Sequence, residues 1–135
     1  MREQFLQVYW YSSLDELQIN KNKERGHTMS KKILVTGSSS GLGLATTDLL
    51  LSQGYEVLGV DINNRDISKE NYTHLMMDLT KLDVDLLRKY VSDGSWFGFV
   101  HCAGTSKGSS IDKLTQEDWD YSMELNLNSA MRYQN

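Results

Sequence analysis

Short apolar runs alternate with amphipathic stretches from residue 32 onward, and that alternation predicts the elements. Ile33-Leu34-Val35 is a short apolar run closed by Thr36-Gly37, as expected of a strand buried on both faces. Residues 41–53 place Leu42, Ala45, Leu49 and Leu50 at helical spacing, and Gly54 stands where a helix stop belongs. Tyr55 to Asp61 reads as a second strand and Thr73 to Leu79 as a third. Residues 82–92 read as a helix with Val84, Leu87 and Val91 on one side. Trp96 to Cys102 is a fourth strand, ended by Ala103-Gly104. Thr115-Gln116-Glu117-Asp118 has the capping-box pattern and opens a long helix through Trp119, Met123, Leu127 and Met131. Strands separated by helices in this order imply right-handed βαβ units and a parallel sheet.

The pattern differs before residue 29. An apolar and aromatic stretch (Phe5, Leu6, Val8, Tyr9, Trp10, Tyr11) precedes a short helix over 14–20, for which Ser13-Leu14-Asp15-Glu16 supplies a cap. Lys21 to Arg25 reads as a solvated linker, and Met29-Ser30-Lys31-Lys32 resembles a protein start. Residues 1–28 are therefore expected to form an extension outside the fold, with 29–135 as the domain. The sharper alternative docks Tyr9-Trp10-Tyr11 on a partner or on an exposed edge of the domain.

Composition narrows the function classes. The chain has 135 residues, enough for one domain, with 39% apolar and 24% charged residues. Its net charge of -4 argues against nucleic-acid and anionic-membrane partners. No run approaches the roughly 18 apolar residues needed to span a bilayer. No small-residue cleavage site follows the apolar start, so a secretory leader is rejected. Cys102, the single cysteine, forms no intrachain disulfide and fits a reducing compartment, with the cytoplasm as default. A metal site is not expected, because His27 and His74 lie far from His101-Cys102 in sequence and no spaced second cysteine exists.

The most informative segment is Thr36-Gly37-Ser38-Ser39-Ser40-Gly41-Leu42-Gly43, where a strand hands over to a helix. A pyrophosphate needs several donors in little space. Amides at a helix start supply them, and the helix dipole favours the anion. Gly37 allows the tight turn, Gly41 lets backbone approach phosphate, and Gly43 lets the helix pack close to the sheet. Ser39, Ser40 and Leu42 complete the cradle. Asp61 follows 18 positions after Gly43, at the end of the next strand. A carboxylate there accepts from both ribose hydroxyls of NAD and repels the 2′-phosphate of NADP. No basic residue occupies positions 38–40, and Arg65 is the first after the strand, so NAD is preferred over NADP. Asp61-Ile62-Asn63-Asn64 is also good turn material, and that reading stays open.

Taken together, these residues resemble the short-chain dehydrogenase/reductase family over about residues 32–133. The resemblance rests on the glycine spacing of Thr36 to Gly43, on Asp61, on Asp78-Leu79, on His101-Cys102-Ala103-Gly104, and on Leu114 to Trp119 followed by Leu125-Asn126-Leu127. It implies a doubly wound Rossmann-type α/β sheet, cut to about four strands in the order 3-2-1-4 with helices on both faces. It further implies that Asp78 and Leu79 bind adenine, that Ala103 and Gly104 border the nicotinamide ribose, and that Asn126 is the asparagine whose backbone holds a water in the proton relay. Asp78 as a plain helix cap and Asn126 as an ordinary polar residue remain the alternatives.

Two departures stand out. His101-Cys102 replaces two asparagines, and a loss of bridging in the central sheet is expected. The family also carries a serine and a Tyr-x-x-x-Lys pair, in which the lysine lowers the tyrosine pKa. No tyrosine of this sequence has lysine four residues on: Tyr90 meets Gly94 and Tyr121 meets Leu125. This chain alone is therefore expected to be inactive. The expectation is the amino-terminal part of a hydride-transferring oxidoreductase, with a catalytically inactive relative that binds nucleotide or self-associates as the alternative. Homo-oligomerisation is expected through the last helix or through an exposed sheet edge at Phe97 to His101.

Overall fold

The computed structural model describes residues 7–9 (backbone), 31–91, 96–106 and 110–133. Its strands are β1 (Gln7–Tyr9), β2 (Lys32–Thr36), β3 (Glu56–Asp61), β4 (Tyr72–Met76) and β5 (Trp96–His101). Helix α1 (Gly41–Ser52) follows β2, α2 (Val84–Val91) follows β4, and α3 (Gln116–Met123) follows β5. A π-helical turn at Glu124–Asn128 joins α3 to a last short helix, α4 (Ser129–Arg132).

The sheet order is β1-β5-β2-β3-β4. Strands β2 to β5 are mutually parallel, with Val35 opposite both Gly59 and Val100. Counted along the chain, these four give the expected 3-2-1-4 order. The expectation for residues 1–28 was an extension outside the fold. For Gln7–Tyr9 the structure differs: β1 runs antiparallel to β5, with Tyr9 opposite Phe99. An edge strand offers unpaired amides and carbonyls, and β1 meets them. The expected 14–20 helix, Trp10, Tyr11 and the linker lie outside the described residues.

Each face of the sheet has its own core. One holds Ile33, Val35, Leu51, Val57 and Tyr72, covered by α1. The other holds Leu34, Leu58, Val60, Leu75, Met77, Leu79 and Leu87, covered by α2 and closed by Leu125 and Tyr133 from the last helical stretch. Alternate residues of β2 and β3 thus serve opposite faces, which is why their sequences are continuously apolar.

Two apolar stripes differ from expectation. In α1 the inward residues are Gly43, Thr47 and Leu51, while Leu49 is exposed. The close approach at Gly43 selects this small-residue face, and Thr47 donates its hydroxyl back to the Gly43 carbonyl at 2.8 Å. In the last stretch Trp119, Leu127 and Met131 face outward, and Ser129 and Ala130 face in. The π-turn widens the helix there, which breaks the single repeat the sequence suggested. The Thr115 cap forms as expected, with its reciprocal bonds to Asp118.

Candidate functional site

The loop between β2 and α1 is set by backbone and small side chains. Gly37 adopts φ +68°, and a Cβ there would lie 2.6 Å from the Ala103 nitrogen. The turn therefore rests directly on the backbone at the end of β5. A Cβ on Gly43 would meet the Gly37 carbonyl oxygen at 1.9 Å, so α1 starts in contact with the turn. Ser40 precedes α1 without spending its side chain on a cap, and the first turn carries no acidic residue. No negative side chain of that turn opposes an anion at the helix start.

Asp61 ends β3 beside this loop. One carboxylate oxygen accepts from the Ser39 amide at 3.0 Å, and the other from the Asn63 amide at 2.8 Å. The side chain is thus held by two loops at once. A carboxylate has about four acceptor positions, so each oxygen retains capacity for a further donor. Behind it runs a polar chain. The Tyr72 hydroxyl lies 2.7 Å from His74 Nδ1 and 3.5 Å from the Ser38 hydroxyl. His74 Nε2 donates to the Asn63 carbonyl at 3.0 Å. A carbonyl can only accept, so His74 carries its proton on Nε2 and Tyr72 donates to Nδ1. Burial raises the Tyr72 pKa, led by desolvation. Ser38 itself is fully buried and braces the loop from below.

Arg65 closes the same corner. It donates to the Ser38 carbonyl at 2.8 Å, pairs with Asp48 at 2.7 Å, and lies over the Tyr72 ring. Asp78 binds the Thr80 amide and hydroxyl through one oxygen, Oδ1. The capping reading of Asp78 is therefore real, and it coexists with a place in the groove.

At the β5 end, His101 is buried and its Nδ1 lies 2.7 Å from the Thr36 hydroxyl. The imidazole replaces the asparagine bridge whose loss was expected, so β2 and β5 remain tied at their ends. Burial lowers the His101 pKa, opposed by the nearby carbonyls of Leu125 and Asn126. Burial also pushes the Cys102 thiol up, against a smaller effect of Thr46, which marks a structural thiol rather than a reactive one. Asn126 lies in the π-turn. Its side chain accepts from the Thr105 amide and donates to the Thr105 carbonyl, each at 2.8 Å. The Tyr133 ring packs at a tilt against Phe99 with centroids 5.0 Å apart, and burial raises its pKa far above the usual phenol range. Among the described residues no cluster of His, Cys, Asp and Glu could hold a metal.

These pieces surround one groove at the carboxyl ends of the strands, enclosing about 650 Å³ including its open mouth. Gly37, Ser40, Asp61, Asp78, Leu79, Ala103 and Gly104, all singled out from sequence, line it together. Ser39, Gly41, Leu42, Gly43 and Asn126, also singled out from sequence, do not line it. Sequence reasoning missed Ile62, Asn63, Met77 and Tyr121 in the lining. It also missed Thr36, the buried hub of the β2–β5 junction. The groove lies where the sheet order reverses around β2, the usual ligand position in doubly wound sheets.

A family model for short chain dehydrogenases matches residues 31–134. The chain belongs to the short-chain dehydrogenase family. It is 31% identical over 107 residues to the short chain dehydrogenase adrF of Penicillium rubens, covering 74% of this chain and 42% of that protein. A short chain dehydrogenase family structure from Francisella tularensis is 30% identical, with a TM-score of 0.70 over 78% of this chain and 44% of that one. A Leptospira borgpetersenii short chain dehydrogenase with bound NAD+ shares the fold at 20% identity and a TM-score of 0.70, covering 78% of this chain and 43% of that one. Other matched structures hold NADH or NADPH. The chain thus spans less than half the length of these relatives. Among the described residues no helix is long and apolar enough to cross a membrane.

Proposed function

We propose that this chain forms the NAD-binding part of a short-chain oxidoreductase that moves hydride between NAD and an alcohol or carbonyl. One observation carries the reading: the loop ending at Ser40, the Asp61 carboxylate, Asp78 and the Ala103–Gly104 backbone converge on one groove. In this reading the diphosphate lies at the start of α1, against Gly37 and Ser39 to Gly43. Asp61 accepts from the adenosine ribose, with the exposed Ile62 beside it as an apolar surface for the adenine ring. Asp78 and Leu79 border the base, Ala103 and Gly104 the nicotinamide ribose, and the Asn126 backbone the relay water. The bound dinucleotide would supply the hydride acceptor, and the protein supplies position and electrostatics.

NAD is favoured over NADP on charge. Asp61 faces the ribose position, and Arg65 is already engaged by Ser38, Asp48 and Tyr72, which supports the absence of a cation for a 2′-phosphate. Calorimetry on the 135-residue chain tests this. NAD+ should bind more tightly than NADP+, and Asp61→Ala should remove the difference. Equal affinity for both, or none in a folded sample, ends the reading. These 135 residues hold no Tyr-x-x-x-Lys pair. We therefore expect no NAD-linked alcohol oxidation by this chain alone, and robust turnover would overturn that. The single thiol fits the cytoplasm as compartment.

A second reading, association without catalysis, is favoured by the exposed Trp119, Leu127 and Met131. Helix surfaces of this kind pair with a second copy when contiguous apolar area is large.

A further inference from the structure

Strand β4 reaches the groove through two side chains that do not line it. Tyr72 and His74 are two residues apart on β4, so they share one face of the strand. His74 stands opposite Gly59 of β3. A Cβ on Gly59 would lie 2.3 Å from the Tyr72 hydroxyl and 2.6 Å from the Ser38 hydroxyl, so the bare glycine leaves room for the phenol to cross β3. Tyr72 is 8% exposed and anchored in the core under α1. Its hydroxyl is therefore a fixed point, 2.7 Å from His74 Nδ1.

From that point a closed set of hydrogen bonds leads to Asp61. His74 Nε2 donates to the Asn63 carbonyl at 3.0 Å, and the Ser39 hydroxyl donates to the same carbonyl at 3.0 Å. Both lone pairs of that oxygen are then used. The Asn63 amide donates to Asp61 Oδ1 at 2.8 Å and the Ser39 amide to Oδ2 at 3.0 Å. Ser39 and Asn63 thus hold the carboxylate from both sides and are tied to each other through one carbonyl. His74 fastens that carbonyl to the sheet.

We propose that His74 is a positioning residue for dinucleotide choice: through the Asn63 carbonyl it fixes the turn that aims the Asp61 carboxylate at the adenosine ribose. A carboxylate free to swing aside relieves its repulsion of a 2′-phosphate, because that repulsion falls with distance; a held one cannot. The ribose target rests on the cofactor reading, whereas the grip on Asp61 is a property of the unliganded chain.

Three variants of the 135-residue chain test this. His74→Ala removes the donor to Asn63. Exchange of the Asn63 and Ser39 amides should accelerate about tenfold while β2–β3 amides stay protected. By calorimetry, the preference for NAD+ over NADP+ should fall about fivefold. His74→Gln places an amide donor near the position of Nε2 and should restore both readouts. Tyr72→Phe keeps the ring in the core but leaves Nδ1 without its donor, and should fall between wild type and His74→Ala. Nitrogen-detected imidazole spectra of the wild-type chain should show the His74 proton on Nε2. Equal losses in His74→Ala and His74→Gln, a fall in NAD+ and NADP+ affinity by the same factor, or a proton on Nδ1 alone would overturn the proposal. The wild-type spectrum decides should a variant fail to fold. A wild-type chain without preference for NAD+ would remove the cofactor reading; the hold on Asp61 would then stand or fall on the amide exchange of the unliganded variants.

Discussion

Val35 and Val100 are paired neighbours on adjacent parallel strands, yet their surroundings differ. Val35 is fully buried beneath α1, within strands β2 and β3 whose residues are almost all inaccessible. Val100 lies on β5, where five of six residues are only half-buried and the outer neighbour is the three-residue β1. The first region is held by layered packing on both faces. The second is held by specific links: the Thr36–His101 bond, the Asn126–Thr105 clamp and the tilted Phe99–Tyr133 ring contact. Packing tolerates loss of any one contact in proportion to its area, whereas a link fails as a unit. The groove lies between the two regions and borrows one wall from each.

The largest effect should come from the joint between them. Gly37 rests on Ala103 and Gly43 rests on Gly37, so an added methyl at Gly43 has backbone, not a flexible side chain, in its way. Gly43→Ala should cost about 3 kcal/mol or more, from overpacking that must move α1 off the turn. Urea unfolding of the variant measures it, and a loss under about 1 kcal/mol would show that the two regions are not rigidly joined. Next comes the direct comparison. Val35→Ala should cost about 2 kcal/mol and Val100→Ala about 1 kcal/mol or less, because only the first empties a closed cavity. Equal costs in the same urea assay would mean that β5 is packed as tightly as β2 in solution.

The same contrast explains what the sequence made legible. Strands β2 and β3 announced themselves because burial on both faces demands continuous apolar runs, and Asp61 was readable because it ends such a run at a fixed distance from the glycines. Asp78, Ala103 and Gly104 also stand at strand ends, but their roles were implied only by the family resemblance. The β5 side was read less well. His101 looked like a lost bridge because its partner, Thr36, carries no signal beyond ending a strand, and the contact joins residues 65 positions apart. Trp119, Met123, Leu127 and Met131 read as one uninterrupted helix because a π-turn leaves no trace in a four-residue repeat. Leu49 misled for a related reason: the glycine that lets α1 approach the sheet also chooses which face approaches.

A smaller effect separates the regions by pH. Burial lowers the His101 pKa in the folded chain, while the unfolded chain has an ordinary imidazole near 6.5. The unfolded state then binds more protons at mildly acidic pH. Stability should be complete above about pH 6.5 and fall as pH drops below it. The urea midpoint should decline from pH 7.5 to 5.5 in the wild-type chain, and His101→Asn should flatten that slope. An unchanged slope in the variant would place the titrating group elsewhere.

The smallest effect on stability should come from the outward face of the last helical stretch. Trp119 is 53% exposed and Met131 57%, so neither contributes much to the monomer's core. Trp119→Ser should change the urea midpoint by no more than about 0.5 kcal/mol equivalent, the usual range for surface positions. If that face pairs with a second copy, the substitution should nonetheless lower the sedimentation mass of the sample toward a single chain. Stability unchanged with association lost would show that the link-held region completes its packing against another molecule. Stability unchanged with mass unchanged would return the apolar stripe to an ordinary solvent-facing surface, and would leave β5's half-buried residues as the true cost of a sheet covered on that side by three residues of β1.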